Sequence, residues 1–126
     1  MLRLRPEQFE ALKAHSLRAM ESRLAAAIGN TWPKLCLQMG PQALRSRIAA
    51  ARVQAVASGL QREMDILRYV RLTLAWDEDL GETARTKWAQ EILAWKGTDA
   101  ATRLDALEGR SDAELAHRPE LLARLA

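Results

Sequence analysis

The sequence predicts an all-α protein, a single compact domain of five or six helices packed as an irregular, orthogonal bundle. Glycine and proline residues interrupt the chain at intervals of helix length, and apolar residues between them recur every three or four positions. No stretch shows the apolar–polar alternation typical of a strand as clearly as the chain shows these helical patterns. The length, 126 residues, is that of one ordinary domain.

The first predicted helix covers residues 6–28. It begins at Pro6, where a missing N–H costs nothing, and Gly29-Asn30 is expected to end it. Its apolar residues, spaced by three, four or eight positions, are predicted to form one face: Phe9, Leu12, Met20, Leu24 and Ile28. A short helical segment over residues 32–39 follows, with Thr31 as its expected cap.

Two central helices are predicted over residues 41–58 and 60–75. The first is rich in alanine, so another helix can approach it closely. The second carries apolar residues around most of its circumference. It is therefore the best candidate for the most buried helix of the bundle.

The remaining chain is predicted to form a helix over residues 83–96, then another from the Thr98-Asp99 cap to Gly109. A capping-box pattern at Ser111 opens a last turn or two, which Pro119 interrupts. We assign residues 1–108 to the bundle and residues 109–126 to a short helical C-terminal tail. This tail either closes the core or docks on a partner.

The acidic stretch of residues 77–82 raises the possibility of a cation site. A helix–loop–helix calcium site needs oxygen ligands at loop positions 1, 3, 5 and 12 and glycine at position 6. Counting from Asp77 places Gly81 at position 5 and Trp88 at position 12, and counting from Asp79 also fails. We therefore expect a solvated connection between helices, and no metal ion.

Other catalytic or cofactor-binding patterns are absent from the sequence. His15 and His117 stand alone without metal-ligand spacing, Cys36 is the only cysteine, and the six glycines occur singly at predicted helix ends. We expect no catalytic residues and no cofactor, and hence a protein that is not an enzyme.

The net charge of +3 conceals an asymmetry between the two halves of the chain. Residues 1–63 contain 10 basic and 4 acidic residues, a net +6, whereas residues 64–126 contain 9 and 12, a net −3. Ion pairs between the packed halves would satisfy this asymmetry, and otherwise the basic half would attract an acidic partner. Arg45, Arg47 and Arg52 form the expected basic face, with Arg45 and Arg52 on the same side of their helix.

The four tryptophans are expected to supply core volume, because the chain has only one Phe and one Tyr. Trp95, beside Lys96 at a helix end, is the one predicted to be accessible. The tail contributes the apolar residues Leu121, Leu122 and Leu125. Together with the three arginines of the basic face, these four residues are the predicted partner-binding residues.

Three segments carry a resemblance to a known family. They begin with Leu-Arg-Leu-Arg-Pro-Glu-Gln-Phe at residue 2, Gly-Leu-Gln-Arg-Glu-Met-Asp-Ile-Leu-Arg-Tyr-Val-Arg-Leu at residue 59, and Trp-Ala-Gln-Glu-Ile-Leu at residue 88. The chain resembles, over roughly residues 1–108, small helical accessory proteins encoded in type VI secretion gene clusters of Gram-negative bacteria. Where the family pattern leads us to expect a glycine and an aromatic around the acidic loop, this chain has Trp76 and Leu80.

The resemblance implies an adaptor that binds an effector, an effector chaperone or a spike component before secretion. Two alternatives stay open: an immunity protein that neutralises a co-encoded toxin, and a basic helical nucleic-acid-binding protein. The last is disfavoured because no aromatic residue interleaves the arginines. The start of the chain lacks a secretory signal and no apolar run approaches membrane-spanning length, so we expect a cytoplasmic protein; its oligomeric state is left open.

Overall fold

A computed structural model describes residues 5–126, and all regular structure in this part of the chain is helical. The described residues form seven α-helices: α1 (Pro6–Thr31), α2 (Pro33–Met39), α3 (Pro41–Ala57), α4 (Glu63–Trp76), α5 (Trp88–Leu93), α6 (Ala100–Leu115) and α7 (Pro119–Leu125). The all-α prediction is confirmed, although the helices exceed the five or six expected. Residues 1–4 lie outside the described residues, and the first segment that carries the family resemblance begins among them.

Helix α4 is the centre of the core, as its apolar pattern predicted. Nine of its fourteen residues are buried, among them the fully buried Tyr69 and Trp76. The indole of Trp76 packs edge-on against Trp88, with ring centroids 5.8 Å apart. Its Nε1 donates a hydrogen bond of 2.9 Å to the buried hydroxyl of Ser111 on α6. The largest side chain of the core is therefore held both by packing and by a satisfied polar group.

Helices α1 and α3 pack on α4 in opposite directions. Arg23 of α1 contacts Glu63, the first residue of α4, and Thr31 at the end of α1 lies beside Arg71, so α1 runs parallel to α4. On α3, Gln54 contacts Tyr69 and Arg47 contacts Asp77, so α3 runs antiparallel to α4. The three helices each contact the other two, and α6 and α7 also pack against α4.

Two predicted helix ends are wrong, and both are glycines. Helix α1 continues through Gly29-Asn30 to Thr31, and α6 continues through Gly109 to Leu115. Neither glycine has a positive φ, in contrast to Gly40, Gly59, Gly81 and Gly97. A glycine inside a helix costs only about 1 kcal/mol relative to alanine, and packing of the flanking turns outweighs that cost. The capping-box pattern at Ser111 is accordingly the interior of α6.

The segment predicted as one helix over residues 83–96 is broken into two pieces. A 3₁₀ turn (Ala84–Thr86) precedes the short α5, and the helix stops at Leu93. Side-chain contacts of Thr86 provide the reason: its hydroxyl accepts from the Gly81 N–H and donates to the Glu78 carboxylate. These bonds hold the turn against the acidic loop in place of a regular first helical turn.

The apolar face predicted for α1 is also wrong in its first half. Leu24 and Ile28 are buried, but Phe9 and Leu12 are 57% and 52% exposed. Because each residue advances the helix by about 100°, a step of four residues moves the stripe by about 40°, and it winds through about 120° between Leu12 and Leu24. Leu12 therefore points away from Leu24. Phe9 is only about 60° from Leu24 around the helix, and it is exposed because it lies fourteen residues before the Arg23–Glu63 contact, beyond the start of α4.

The C-terminal tail closes the core. Leu121 is buried, and α7 packs against α2, α4 and α6. Across the described residues, no helix combines the length and the apolar character needed to cross a membrane.

Candidate protein-binding surfaces

An apolar groove lies between α4, α6 and α7, and Trp32 at the α1–α2 junction completes it. Its volume is about 460 Å³. Six of the eleven lining residues are apolar, namely Trp32, Leu72, Ala75, Leu115, Leu122 and Leu125. The other five are Arg68, Arg71, Glu108, Ser111 and Asp112. Leu122 is 43% exposed, so part of this apolar lining is open to solvent. We call this feature the α4–α7 groove.

Two arginines of α4 line the groove, and they differ in how they are paired. Arg68 donates to Asp105, at 2.5 Å, and to Glu108, and these carboxylates raise the pKa of its guanidinium. Arg71, one turn later, makes no ion pair within the described residues. Its only side-chain hydrogen bond in the described part of the chain is a long one, 3.5 Å, to the Thr31 hydroxyl, and its Nε is buried without a hydrogen-bond partner. Among the described residues, the groove thus has one guanidinium without a carboxylate partner, in a lining that also contains Glu108 and Asp112.

The acidic loop is an internal polar network and not an open connection. The Glu78 carboxylate is buried and accepts hydrogen bonds from Thr83, Thr86 and Arg85. Burial alone would raise the pKa of Glu78, but the bonds from Thr86, Thr83 and Arg85 outweigh it and hold the pKa below its usual value. Arg85 also donates to the backbone carbonyl of Trp76, at 2.6 Å, which ties the loop to the end of α4.

Asp77 of the same loop pairs with arginines, whereas the buried Oδ1 of Asp79 has no hydrogen-bond partner in the described part of the chain. Asp77, in the left-handed conformation after α4, accepts from Arg47 at 3.3 Å and lies 3.6 Å from Arg124 of α7. Burial raises the pKa of Tyr69 to about 12, and the nearby charge of Asp79 adds to this rise. Within residues 5–126, no group of three or more His, Cys, Asp or Glu side chains is arranged to hold a metal ion.

The three arginines of the predicted basic face, Arg45, Arg47 and Arg52, have different surroundings in the structure. Arg52 pairs with Glu21 of α1 at 3.0 Å, and Arg47, on the other side of α3, pairs with Asp77. Arg45 is exposed and, in the described part of the chain, makes no ion pair. As predicted, Arg45 and Arg52 share a side of the helix, and both lie near Glu21.

Ion pairing between the two halves of the chain is rare. Among the ion pairs of the described residues, only Arg47–Asp77 joins residues 1–63 to residues 64–126. The others fall within one half, such as Arg23–Glu63 and Arg68–Glu108. Pairing between the halves therefore does not remove the charge asymmetry.

The predicted apolar binding residues lie at two separate places. Trp95, 46% exposed after α5, is accessible as predicted, whereas Trp76 and Trp88 are buried. Leu122 and Leu125 line the α4–α7 groove, but Leu121 points into the core and is unavailable to a partner. Trp95 is not among the residues that line this groove.

Residues 6–17 of α1, here called the α1 arm, extend beyond the bundle. None of them is buried, and Phe9 precedes the Arg23–Glu63 contact by fourteen residues of continuous helix. At 1.5 Å per residue, Phe9 lies about 21 Å past the level at which α4 begins. The arm therefore presents Phe9 and Leu12 without a core to cover them.

Sequence reasoning did not identify Trp32, Arg71 and Leu115 as neighbours in one groove. They come from three separate elements, and only the packing of α6 and α7 on α4 brings them together. One signal was present: Arg71 interrupts the apolar run of α4 without an acidic residue three or four positions away.

Comparisons with known proteins do not place the chain in a family. No protein-family model matches the chain, and neither the curated proteins nor the solved structures contain a significant match.

Proposed function

We propose that this chain is a non-enzymatic protein-interaction module, an accessory or adaptor protein that binds a type VI secretion effector, its chaperone or a spike component in the cytoplasm. The observation that carries the protein-binding role is the α4–α7 groove, an apolar channel with one unpaired guanidinium beside it. The secretion context comes from the resemblance of residues 1–108 to small helical proteins encoded in such gene clusters.

The groove has the features of a helix-accepting surface. Its walls are helices, six of its eleven lining residues are apolar, one of them an indole, and Leu122 is exposed on one side. An amphipathic helix that inserts two or three apolar side chains would remove this surface from water. An acidic residue of the same helix would give Arg71 the carboxylate that it lacks within its own chain.

The arrangement of the arginines supports protein over nucleic acid as the partner. Arg47, Arg52 and Arg68 each pair with carboxylates of this chain, so these three guanidinium groups are not free for phosphate contacts. An immunity protein would use the same kind of surface, and the two roles differ in the partner that is bound.

Co-expression with each protein encoded beside it tests the proposal. We expect one effector, chaperone or spike component to co-elute with the chain at about 1:1 stoichiometry. Leu122→Glu should abolish the complex, whereas the matched change Val53→Glu, on the exposed side of α3, should leave it intact. Binding to a toxin domain with rescue of growth would establish the immunity role instead, and steeply salt-dependent binding to nucleic acid would establish the third role.

A further inference from the structure

We propose that α7 is a releasable strap, which opens as a unit about the turn at residues 116–118 and uncovers an apolar cradle on α2, α4 and α6. The open cradle accepts a helix with the chemistry of α7 itself, a short amphipathic helix with leucines on one face and an arginine near its C-terminal end. The occupation of the cradle by a partner rests on the proposed protein-binding function, whereas the opening of α7 does not.

The apolar attachment of α7 depends mainly on one side chain. Leu121 is the only buried residue of this seven-residue helix, while Leu125 is partly buried and Leu122 is 43% exposed. A helix of seven residues is not stable by itself in water, so α7 is helical because it packs on its neighbours. Loss of the contacts of Leu121 therefore releases most of what holds α7 in place.

The polar attachment of α7 consists, within the described residues, of the contacts of Arg124. Its guanidinium donates a long hydrogen bond of 3.4 Å to the Leu74 carbonyl and lies 3.6 Å from the Asp77 carboxylate. The side chain of Asp77 is 56% exposed and also pairs with Arg47, so water and a second cation compete for it. An ion pair of this kind adds little stability, and its loss does not hinder the opening of α7.

The backbone between α6 and α7 provides a hinge. The hydrogen bonds that continue α6 end with Arg118, whose N–H donates to the Leu115 carbonyl at 2.8 Å. Pro119 has no N–H, and the first bonds of α7 return to the Arg118 carbonyl, from the amides of Leu121 and Leu122. A rotation at Arg118 therefore moves α7 as a unit and leaves the hydrogen bonds of α6 intact.

The position of α7 shows which chemistry the cradle accepts. Leucines of α7 share one groove with Leu72 and Ala75 of α4 and with Leu115 of α6, so the surface fits aliphatic side chains presented by a helix. At one end, Asp77 and the last carbonyls of α4 give the cradle a negative potential, which Arg124 complements. A partner helix with leucines four residues apart and a nearby arginine satisfies both requirements and takes the place of α7.

A peptide with the sequence of residues 117–126, added to the full chain, tests occupation of the cradle. Leu121→Ser in the full chain removes the buried anchor and should leave α7 open. Because the apparent dissociation constant is the intrinsic one divided by the open fraction, this variant should bind the peptide at least about ten-fold more tightly than wild type. Shifts of α2, α4 and α6 amides in heteronuclear NMR spectra measure the binding, and a peptide that itself carries Leu121→Ser and Leu125→Ser is the control. Equal affinity of the two chains, or no binding to the folded variant, would overturn the proposal.

Native-state hydrogen exchange of the full chain tests the opening without a substitution in the core. Amides of residues 121–125 should exchange at least about 100-fold faster than those of α4, through an opening that depends little on urea. Arg124→Ala should accelerate their exchange several-fold and leave α4 unchanged, whereas Glu114→Gln, which removes the exposed pair with Arg110, should change neither. Exchange of α7 only together with α4 would overturn the proposal. Neither experiment uses a partner protein, so its failure is distinct from the absence of a co-eluting protein.

Discussion

The first half of α1 and the whole of α4 are both helices with apolar residues, yet the bundle uses them in opposite ways. Helix α4 buries nine residues and is contacted by α1, α3, α6 and α7. The α1 arm buries none. A helical segment of this length is marginal by itself in water, because helices of fewer than about 12–15 residues depend on packing. Stability is therefore concentrated around α4, while the arm remains available for contacts with other molecules.

The largest effect is expected where the core around α4 is opened. Trp76→Ala removes a fully buried indole, its packing on Trp88 and its hydrogen bond to Ser111. We expect the free energy of unfolding to fall by roughly 3–5 kcal/mol. Urea denaturation followed by circular dichroism measures this loss. Trp95→Ala is the matched control, and a similar loss there would contradict the assignment of Trp95 to the surface.

The next largest effect concerns the loop that follows α4. Glu78→Ala deprives Thr83, Thr86 and Arg85 of their common acceptor and leaves a partly buried cation unpaired. The expected loss in unfolding free energy is about 1–3 kcal/mol. Glu82→Ala, in the exposed part of the same loop, should cost less than about 0.5 kcal/mol. Equal losses from the two substitutions would show that the loop is a solvated connection after all.

The same carboxylate predicts a dependence of stability on pH. Because the folded-state pKa of Glu78 is lowered, its contribution is fully present above the ordinary glutamate value of 4.5 and is lost as pH falls through the folded pKa. Wild-type protein should therefore lose stability in this acidic range. Glu78→Gln should flatten that part of the profile, as measured by the denaturation midpoint at a series of pH values. A variant with an unchanged pH slope would assign the acid sensitivity to other carboxylates.

Substitution by alanine should have opposite effects at two glycines, one inside a helix and one in a turn that requires a positive φ. Gly109→Ala, in α6 with open space around the added methyl group, should raise the unfolding free energy by about 0.5–1 kcal/mol. Gly81→Ala should lower it, because Gly81 has a φ of +89° and an added Cβ would lie 2.5 Å from Gln90. Thermal denaturation measures both changes, and an increase in the melting temperature for Gly81→Ala would contradict the turn geometry.

The smallest effect on folding is expected in the α1 arm. Phe9→Ser with Leu12→Ser removes two large apolar side chains, but neither belongs to the core. In dilute protein the unfolding free energy should change by less than about 0.5 kcal/mol. Leu24→Ser, on the same helix but fully buried, should cost several times more in the same denaturation experiment. Comparable losses would place the arm inside the folding unit.

The sequence predicted the helical class, the central position of α4 and the exposure of Trp95, because these depend on the local spacing of apolar residues and on the positions of glycine and proline. It misplaced the ends at Gly29 and Gly109, where packing of the next turn outweighs the low helix propensity of glycine. It also assigned Phe9 and Leu12 to the same buried face as Leu24, because spacing within α1 does not reveal that α4 begins level with Arg23 and leaves the earlier residues of α1 uncovered. The groove depends on how α6 and α7 close on α4, and no pattern within a single helix encodes that.

Site-resolved amide hydrogen exchange in dilute solution tests most directly the separation between a stabilising core and an uncovered arm. Amides of α4 should exchange only through global unfolding, while those of residues 9–16 should exchange orders of magnitude faster through local opening. Protection of the arm equal to that of α4 under these conditions would mean that the bundle itself holds the arm, and would contradict the account.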